Sequence, residues 1–299
     1  MKPLFYLPLW FFKTRVLGKK IPLQSVVFIS DKCNLKCRHC TLYAKQDAIV
    51  KPLAAVREDL LHCYRQGSRF VDFEGGEPTL WRDGEHGLNS LIRLAKEIGF
   101  YSVTVTTNAT RPFPGLEADS IWVSMDGVGP SHDAIRGAGT FARLVENIET
   151  CGHSRVSVNM VVNRLNHMAL DESIEFAKAH PNIESIAINL HTPFAGTEEL
   201  ELAEETRRAV LDKVIAYKKQ GYPIMNSVAG LKRMRRRDFR KYCWMANFVM
   251  ADGRRLAECN GKLEGLCERC GFCMAGEMAS VMSLAPDTLF AGLKLRVTG

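Results

Sequence analysis

Cys33-Asn34-Leu35-Lys36-Cys37-Arg38-His39-Cys40 is the stretch on which the reading of this 299-residue chain turns. Three cysteines stand at spacings of four and three in one short segment. The run before it, Ser25-Val26-Val27-Phe28-Ile29-Ser30, is apolar and β-branched and predicts a buried strand. The cysteines therefore hang from the end of a strand. Three thiolates this close can hold three irons of a cubane, where four cysteines normally complete a [4Fe–4S] cluster. A loop with only three leaves one iron open to another ligand. A zinc knuckle is the rival reading. It needs a fourth ligand, and His39, between two of the cysteines, is badly placed to supply it.

Working outward, Phe70-Val71-Asp72-Phe73-Glu74-Gly75-Gly76-Glu77-Pro78 reads as a strand that runs into a glycine turn with a carboxylate. Glycines let a backbone approach a ligand closely. Strand-end backbone groups together with Glu77 can receive an ammonium group. Between these two stretches, Val56, Leu60, Cys63 and Tyr64 form one helical face, which makes Cys63 a small core residue. The rhythm repeats. Strands are expected near residues 26, 71, 103, 122, 157 and 187, with amphipathic helices between them. Alternating strands and helices build a parallel sheet. Parallel barrels place their chemistry at the C-terminal ends of strands. Cys33, Glu77, Thr107, Asn108, Ser124, Asp126 and Asn159 fall there. Thr, Asn and Ser at such places also cap the helices that follow.

These features resemble the radical S-adenosylmethionine (SAM) superfamily, whose signature is CxxxCxxC after the first strand of a βα barrel. The resemblance implies an α/β fold, a partial (β/α)6 barrel, and a [4Fe–4S] cluster on Cys33, Cys37 and Cys40. It implies that SAM binds the open iron and is cleaved to a 5′-deoxyadenosyl radical, which abstracts a hydrogen from substrate. The Gly75-Gly76-Glu77-Pro78 element is similar to the family's GGEP, which binds the amino group of SAM. Ser124 or Asp126, with Asn159, are then candidates for its ribose or carboxylate. Ser131-His132-Asp133 through Gly139-Thr140-Phe141 is similar to a segment of family members that carry a SPASM-type extension. Within it Arg136 is a candidate partner of the SAM carboxylate.

Five of the ten cysteines lie in the tail: Cys243, Cys259, Cys267, Cys270 and Cys273. Their order resembles a shortened SPASM or twitch domain, which implies a second, auxiliary [4Fe–4S] cluster. The full pattern has seven cysteines, so one auxiliary cluster is expected. Spacing leaves open which of Cys267, Cys270 and Cys273 is not a ligand. A four-thiolate zinc ribbon is the alternative. The expected divisions are an N-terminal amphipathic segment (1–22), the barrel (23–225) and the auxiliary unit (226–299).

Composition narrows the rest. Apolar residues make up 46% of the chain, enough for a sizeable core, and no apolar run is long enough to span a bilayer. Thiolates that carry oxygen-sensitive clusters belong in a reducing compartment, so a cytoplasmic protein is expected, with the inner face of the membrane as an alternative place. The net charge of +7 suits an anionic substrate, an acidic electron donor or a membrane surface, and no nucleic-acid partner is expected. Leu9, Phe12 and Val16 recur at helical spacing beside Lys13, Lys19 and Lys20. That segment reads either as an interfacial helix or as one packed across the bottom of the barrel. Leu231 to Lys241 is a basic run, either a solvated helix face or a landing patch for phosphates.

Two substrate classes compete. A lipid or isoprenoid-like substrate at the membrane fits the hydrophobic start of the chain, which is similar to that of hopanoid-biosynthesis members of the family. A peptide or a small polar metabolite fits a SPASM-type tail, although the residues before the first strand are too few for a leader-binding domain. The resemblance also implies an electron donor such as flavodoxin or ferredoxin. An iron–sulfur electron carrier or scaffold is the reading outside enzymes.

Overall fold

The computed structural model describes residues 3–41, 47–239 and 242–297. Six strands, β1 (Gln24–Ser30), β2 (Phe70–Gly75), β3 (Ser102–Thr107), β4 (Ser120–Ser124), β5 (Val156–Val162) and β6 (Ser185–Leu190), lie side by side in chain order. All five pairings among them are parallel. The expected parallel α/β fold is therefore what the chain adopts. α1 (Pro3–Arg15) precedes β1. α2 (Leu53–Gln66), α3 (Leu88–Ile98), α4 (Pro130–Arg136), α5 (Thr140–Thr150) and α6 (Leu170–Ala179) fill four of the five crossovers, and residues 108–119 join β3 to β4 without a helix. α7 (Glu204–Lys219) and α8 (Val228–Arg236) follow β6.

The pleat sorts the strand residues into two layers. Val71 and Phe73, Val103 and Val105, Ile121 and Val123, Val156 and Val158 point outward. They pack with Leu60 and Cys63 of α2, Leu91 and Ile92 of α3, Leu144 and Ile148 of α5, and Ile174 of α6. The alternate residues Asp72 and Glu74, Thr104 and Thr106, Ser120 and Ser124, and Asn159 line an internal cavity instead.

The tail joins this sheet. β7 (Ala246–Val249) pairs parallel to β1, and β8 (Arg255–Leu256) pairs antiparallel to β7. Periodicity did not mark these strands, because four and two residues are too few to show a pattern. After α9 (Asn260–Leu263), the chain reaches the end of β6. Leu190 N donates to Gly271 O at 2.9 Å, Gly271 N to Thr192 Oγ1 at 2.9 Å, and Cys273 N to Asn189 Oδ1 at 2.8 Å. α10 (Met274–Met282) then lies on α8, and α11 (Pro286–Val297) completes the chain. Two glycines set the α8–α10 approach. A Cβ on Gly276 would sit 2.4 Å from the Gly230 carbonyl oxygen, and one on Gly230 would sit 2.2 Å from Glu277 Oε1. Glu277 accepts from Ser227 N at 2.9 Å and Ser227 Oγ at 2.6 Å, at the start of α8. Burial pushes the Glu277 carboxyl up to about 7.

α1 has two apolar faces. Trp10 is buried, stacks near Trp244 with centroids 6.4 Å apart, and donates from Nε1 to Ile21 O at 2.8 Å. Tyr6 packs edge-on against Tyr101, just before β3. This face matches the expected packing beside the strands' N-terminal ends. Phe5, Leu9, Phe12 and Val16 recur on the opposite side and are exposed. No helix among the described residues is long and apolar enough to cross a membrane. The basic run forms α8 and its C-terminal turn, and its guanidinium groups are engaged locally. Arg233 pairs with Asp238, Arg235 with Asp212, and Arg237 with Glu204. Arg240 and Lys241 lie outside the described residues.

The tail's seat on β6 depends on a missing side chain. A Cβ on Gly271 would stand 2.0 Å from Leu190 O and 2.8 Å from His191 O. Gly271→Ala is expected to destabilise the fold by about 1–3 kcal/mol, the cost of overpacking a close contact. Urea denaturation checks this as a lowered midpoint at unchanged slope.

Candidate active site

The three-cysteine loop is held from both sides. Cys40 N donates to Cys37 O at 3.1 Å, which closes a turn within it. Arg38 N reaches Ile135 O of α4 at 3.0 Å. Asn34 Nδ2 donates to Thr110 Oγ1 at 2.8 Å, and Asn108 Nδ2 to Asn34 Oδ1 at 3.0 Å. Leu35 N points at Cys33 Sγ at 3.4 Å. Burial pushes the Cys37 thiol up to about 11, with Arg136 opposing the shift, and burial also raises Cys33. Thiols of this kind surrender their protons to a metal.

Gly75 and Gly76 bring the end of β2 against this loop. A Cβ on Gly75 would meet Ser30 O at 2.2 Å, and one on Gly76 would meet Lys32 O at 2.2 Å. Gly76 N donates to Ser30 O and Glu77 N to Lys32 O, both at 2.8 Å. The sequence had assigned these glycines to ligand approach. Their packing task is to let two strand ends touch. Both still line the cavity.

Glu77 does not line the cavity. It is 1% exposed, and its carboxylate is surrounded by donors. Oε1 accepts from Thr107 Oγ1 at 2.6 Å, Thr79 Oγ1 at 2.7 Å and Thr79 N at 3.1 Å. Oε2 accepts from Asn108 N at 2.7 Å. Glu77 thus staples the end of β2 to the end of β3. Pro78 begins the short helical turn that follows and is buried. What this element presents to the cavity is the backbone of Gly75 and Gly76.

A second buried carboxylate works the same way. Asp126 is wholly buried, and Oδ2 accepts from Arg136 Nε at 2.6 Å while Oδ1 accepts from Val161 N at 2.9 Å. Its pKa is lowered although burial opposes ionisation, because Arg136 and the Val161 amide favour the charged form. Asp126 is absent from the cavity wall, whereas Arg136 stands on it with Nη1 3.9 Å from Cys37 Sγ. Asp126 therefore acts through Arg136. His39 Nε2 lies 3.7 Å from Asp126 Oδ2, and its ring also lines the cavity. Burial holds His39 down to about 4, so the ring is neutral.

The cavity encloses about 530 Å³ at the C-terminal ends of the strands and down the inside of the sheet. Thr107, Asn108, Ser124, Asn159 and Arg136 reach it. So do Cys33, Cys37 and Cys40 at one end and Cys243, Cys259 and Cys270 from the tail. Cys243, Cys259, Cys267 and Cys270 together ring a small void of about 20 Å³. Cys273 is not among them. It is buried, and its charge neighbours are Glu277, Arg207 and Cys270. Among the described residues, no three His, Cys, Asp or Glu side chains converge as ligands of a single ion.

Sequence reading passed over several residues of the wall. Asp72 and Glu74 alternate with the buried Val71 and Phe73 on β2, and that alternation was the available signal for an inward-facing polar pair. Burial pushes Glu74 up to about 7, with a hydrogen bond to Asp72 opposing. Asn189 on β6 donates to Asn159 Oδ1 at 2.8 Å. Met274 and Met278 of α10 also reach the wall.

Residues 27–177 match the family model of the Radical SAM superfamily. Fe-coproporphyrin III synthase of Methanosarcina barkeri is 28% identical over 69% of this chain and 58% of its own length. Mycofactocin maturase MftC of Mycolicibacterium smegmatis is 29% identical over 52% of this chain and 41% of its own length. This chain thus spans about half the length of these two curated relatives. Among solved structures, Streptococcus suis SuiB bound to precursor peptide SuiA superposes with a TM-score of 0.64 at 17% identity, over 92% of this chain and 68% of that one. That likeness is one of fold.

The Asp126–Arg136 pair is buried on both sides, so removing one partner strands the other charge. Asp126→Asn is expected to cost about 3–5 kcal/mol of stability. The double variant Asp126→Asn/Arg136→Met should recover part of that loss. Urea denaturation of the single and double variants reads the coupling directly.

Proposed function

This chain belongs to the radical SAM superfamily, and on that premise we propose that Cys33, Cys37 and Cys40 hold three irons of a [4Fe–4S] cluster whose fourth iron receives SAM. When bound, cluster and SAM supply a 5′-deoxyadenosyl radical that takes a hydrogen atom from a substrate in the cavity. The observation that carries the reading is the cavity of about 530 Å³ with this three-thiol loop in its wall. The donor set fits the group: thiols alone, three on one braced loop, with space beside them. The chain's own residues divide the work. The Gly75–Gly76 backbone meets the SAM ammonium, and Arg136 meets its carboxylate. Ser124 and Asn159 meet the ribose. Thr107 and Asn108 close the wall beside Cys33. Glu77 and Asp126 act through their neighbours, one fixing the turn and the other fixing Arg136.

We assign the tail thiols Cys243, Cys259, Cys267 and Cys270 to an auxiliary [4Fe–4S] cluster, because these four ring one void. Cys273, which does not line that void, is the cysteine left over. In this division residues 226–299 are the auxiliary unit and 23–225 the barrel, with β7 as the seam between them. Electrons come from a small reduced carrier of the flavodoxin or ferredoxin kind. The substrate we favour is a peptide or a polar small molecule. Asp72, Glu74, Thr104 and Thr106 in the cavity wall support it, as does the kinship with a mycofactocin maturase. A lipid would bring no hydrogen-bonding groups to that polar stretch of wall.

A second element of the reading is peripheral membrane contact. It rests on the exposed row Phe5, Leu9, Phe12 and Val16 beside exposed Arg15, Lys19 and Lys20. An apolar face flanked by cations suits an interface of anionic lipids.

Anaerobic reconstitution should yield about eight irons and eight sulfides per chain, two cubanes of four each. Cys37→Ala should release no 5′-deoxyadenosine under dithionite; continued production would refute the assignment of the loop. Replacing Phe5, Leu9 and Phe12 by Ser should weaken binding to anionic liposomes, and added salt should weaken the parent protein's binding in the same assay. Unchanged binding would remove the membrane from the reading.

A further inference from the structure

The first turns of α7 lie against the tail loop that carries the cysteines. Arg269 Nε donates to Glu201 Oε1 at 3.0 Å. Arg237 joins Glu204, at 2.6 Å, to the backbone carbonyl of Glu268. On the inner side of the same helix stands Arg207, 5% exposed. Its Nη2 donates to Met234 O of α8 at 2.6 Å. Its Nη1 is buried and has no hydrogen-bond partner among the described residues.

A buried guanidinium with an idle donor is expensive unless something anionic stands nearby. The nearest carboxylate on its own helix, Glu204, is already bound to Arg208 at 2.8 Å and Arg237 at 2.6 Å. The other groups close enough to feel the Arg207 charge are the Arg237 guanidinium, itself paired with Glu204, and the thiols of Cys273 and Cys270. Cys270 belongs to the ring of four around the tail void. Arg207 carries no ordinary structural task that would use its second nitrogen.

We infer that Arg207 is a positioning residue of the tail site, whose buried charge and free Nη1–H act on the anionic sulfur there and raise the reduction potential of the group those sulfurs bind. This rests on the assignment of Cys243, Cys259, Cys267 and Cys270 to an auxiliary cluster. Potentials of such clusters respond to net charge, to hydrogen bonds on sulfur and to exclusion of solvent. A fixed cation beside the ligands favours the state with one more electron. The tail site is thereby biased toward accepting an electron rather than giving one.

The test is an EPR-monitored redox titration of the reconstituted full chain, with the first cluster as an internal reference. Arg207→Met should lower one of the two midpoint potentials by about 59 mV or more, a tenfold change in a one-electron equilibrium. The other potential should stay in place. Arg207→Lys, which keeps the charge, should restore at least half of the shift. Two unmoved potentials at about eight irons per chain would overturn the inference, and so would equal movement of both. Loss of tail iron in both variants would also overturn it, since Arg207 would then be structural. About four irons in the parent protein would instead overturn the auxiliary-cluster assignment on which the inference stands.

Discussion

The site depends on one close approach between two backbones. The end of β2 presses on the segment that follows β1, with Gly76 N on Ser30 O and Glu77 N on Lys32 O, each at 2.8 Å. Neither bond forms if residue 75 or 76 carries a Cβ, because that carbon would overlap a carbonyl oxygen of the neighbouring segment. The three-cysteine loop starts one residue beyond this contact, so the contact sets the loop's direction. Glu77 then links the same point to the end of β3 through Thr107 and Asn108. Asn108 in turn binds Asn34 inside the loop. A chain of short bonds thus runs from the parallel sheet to the thiols. The rigidity of the sheet is passed on to a loop that would otherwise be free.

The second constraint is the closing of the sheet's open edge. β6 would end with unsatisfied backbone groups facing the cavity, a costly arrangement. Residues 223–226 cover the edge at Ile186 and Ile188, Glu277 ties α10 to the start of α8, and the tail seals the end of the strand at Leu190 through Gly271. Because this seal is made by the very loop that holds Cys267, Cys270 and Cys273, closure of the strand end and thiol placement are one event. It also brings tail cysteines into the wall already lined by Cys33, Cys37 and Cys40.

Strands with apolar, β-branched alternation were plain in the sequence, and β1 to β6 formed where that pattern placed them. The cysteine spacing was equally plain. Other features were hidden for physical reasons. β7 and β8 are held by tertiary pairing and are too short for any period to register. Glu77 and Asp126 sat at strand ends, where sequence reasoning expects side chains to meet a ligand. Their oxygens are consumed by neighbouring donors, which only the folded geometry reveals. The choice among the last three tail cysteines turns on which side of a short loop each thiol faces, and no linear spacing encodes that. α1 was legible as a helix segment, but its spacing could not say which of its two apolar faces is covered.

The cavity wall carries its own argument about function. An inert barrel interior fills with branched apolar side chains, as the outer layer of this sheet does. Here β2 to β4 bring mostly polar groups to the inside instead: Asp72 and Glu74 after Phe70, Thr104 and Thr106, then Ser120, Trp122 and Ser124. Each of these costs desolvation that an apolar side chain would not. Among the described residues, Arg136 brings the only guanidinium or ammonium group to that wall, and Asp126 already holds it. Glu74, pushed up to about 7 by burial, is therefore poised between a hydrogen-bond donor and an anion in the neutral range. A wall of this kind selects for molecules that bring hydrogen-bonding groups into the barrel, with Phe28, Phe248 and Met250 left to cover their apolar parts.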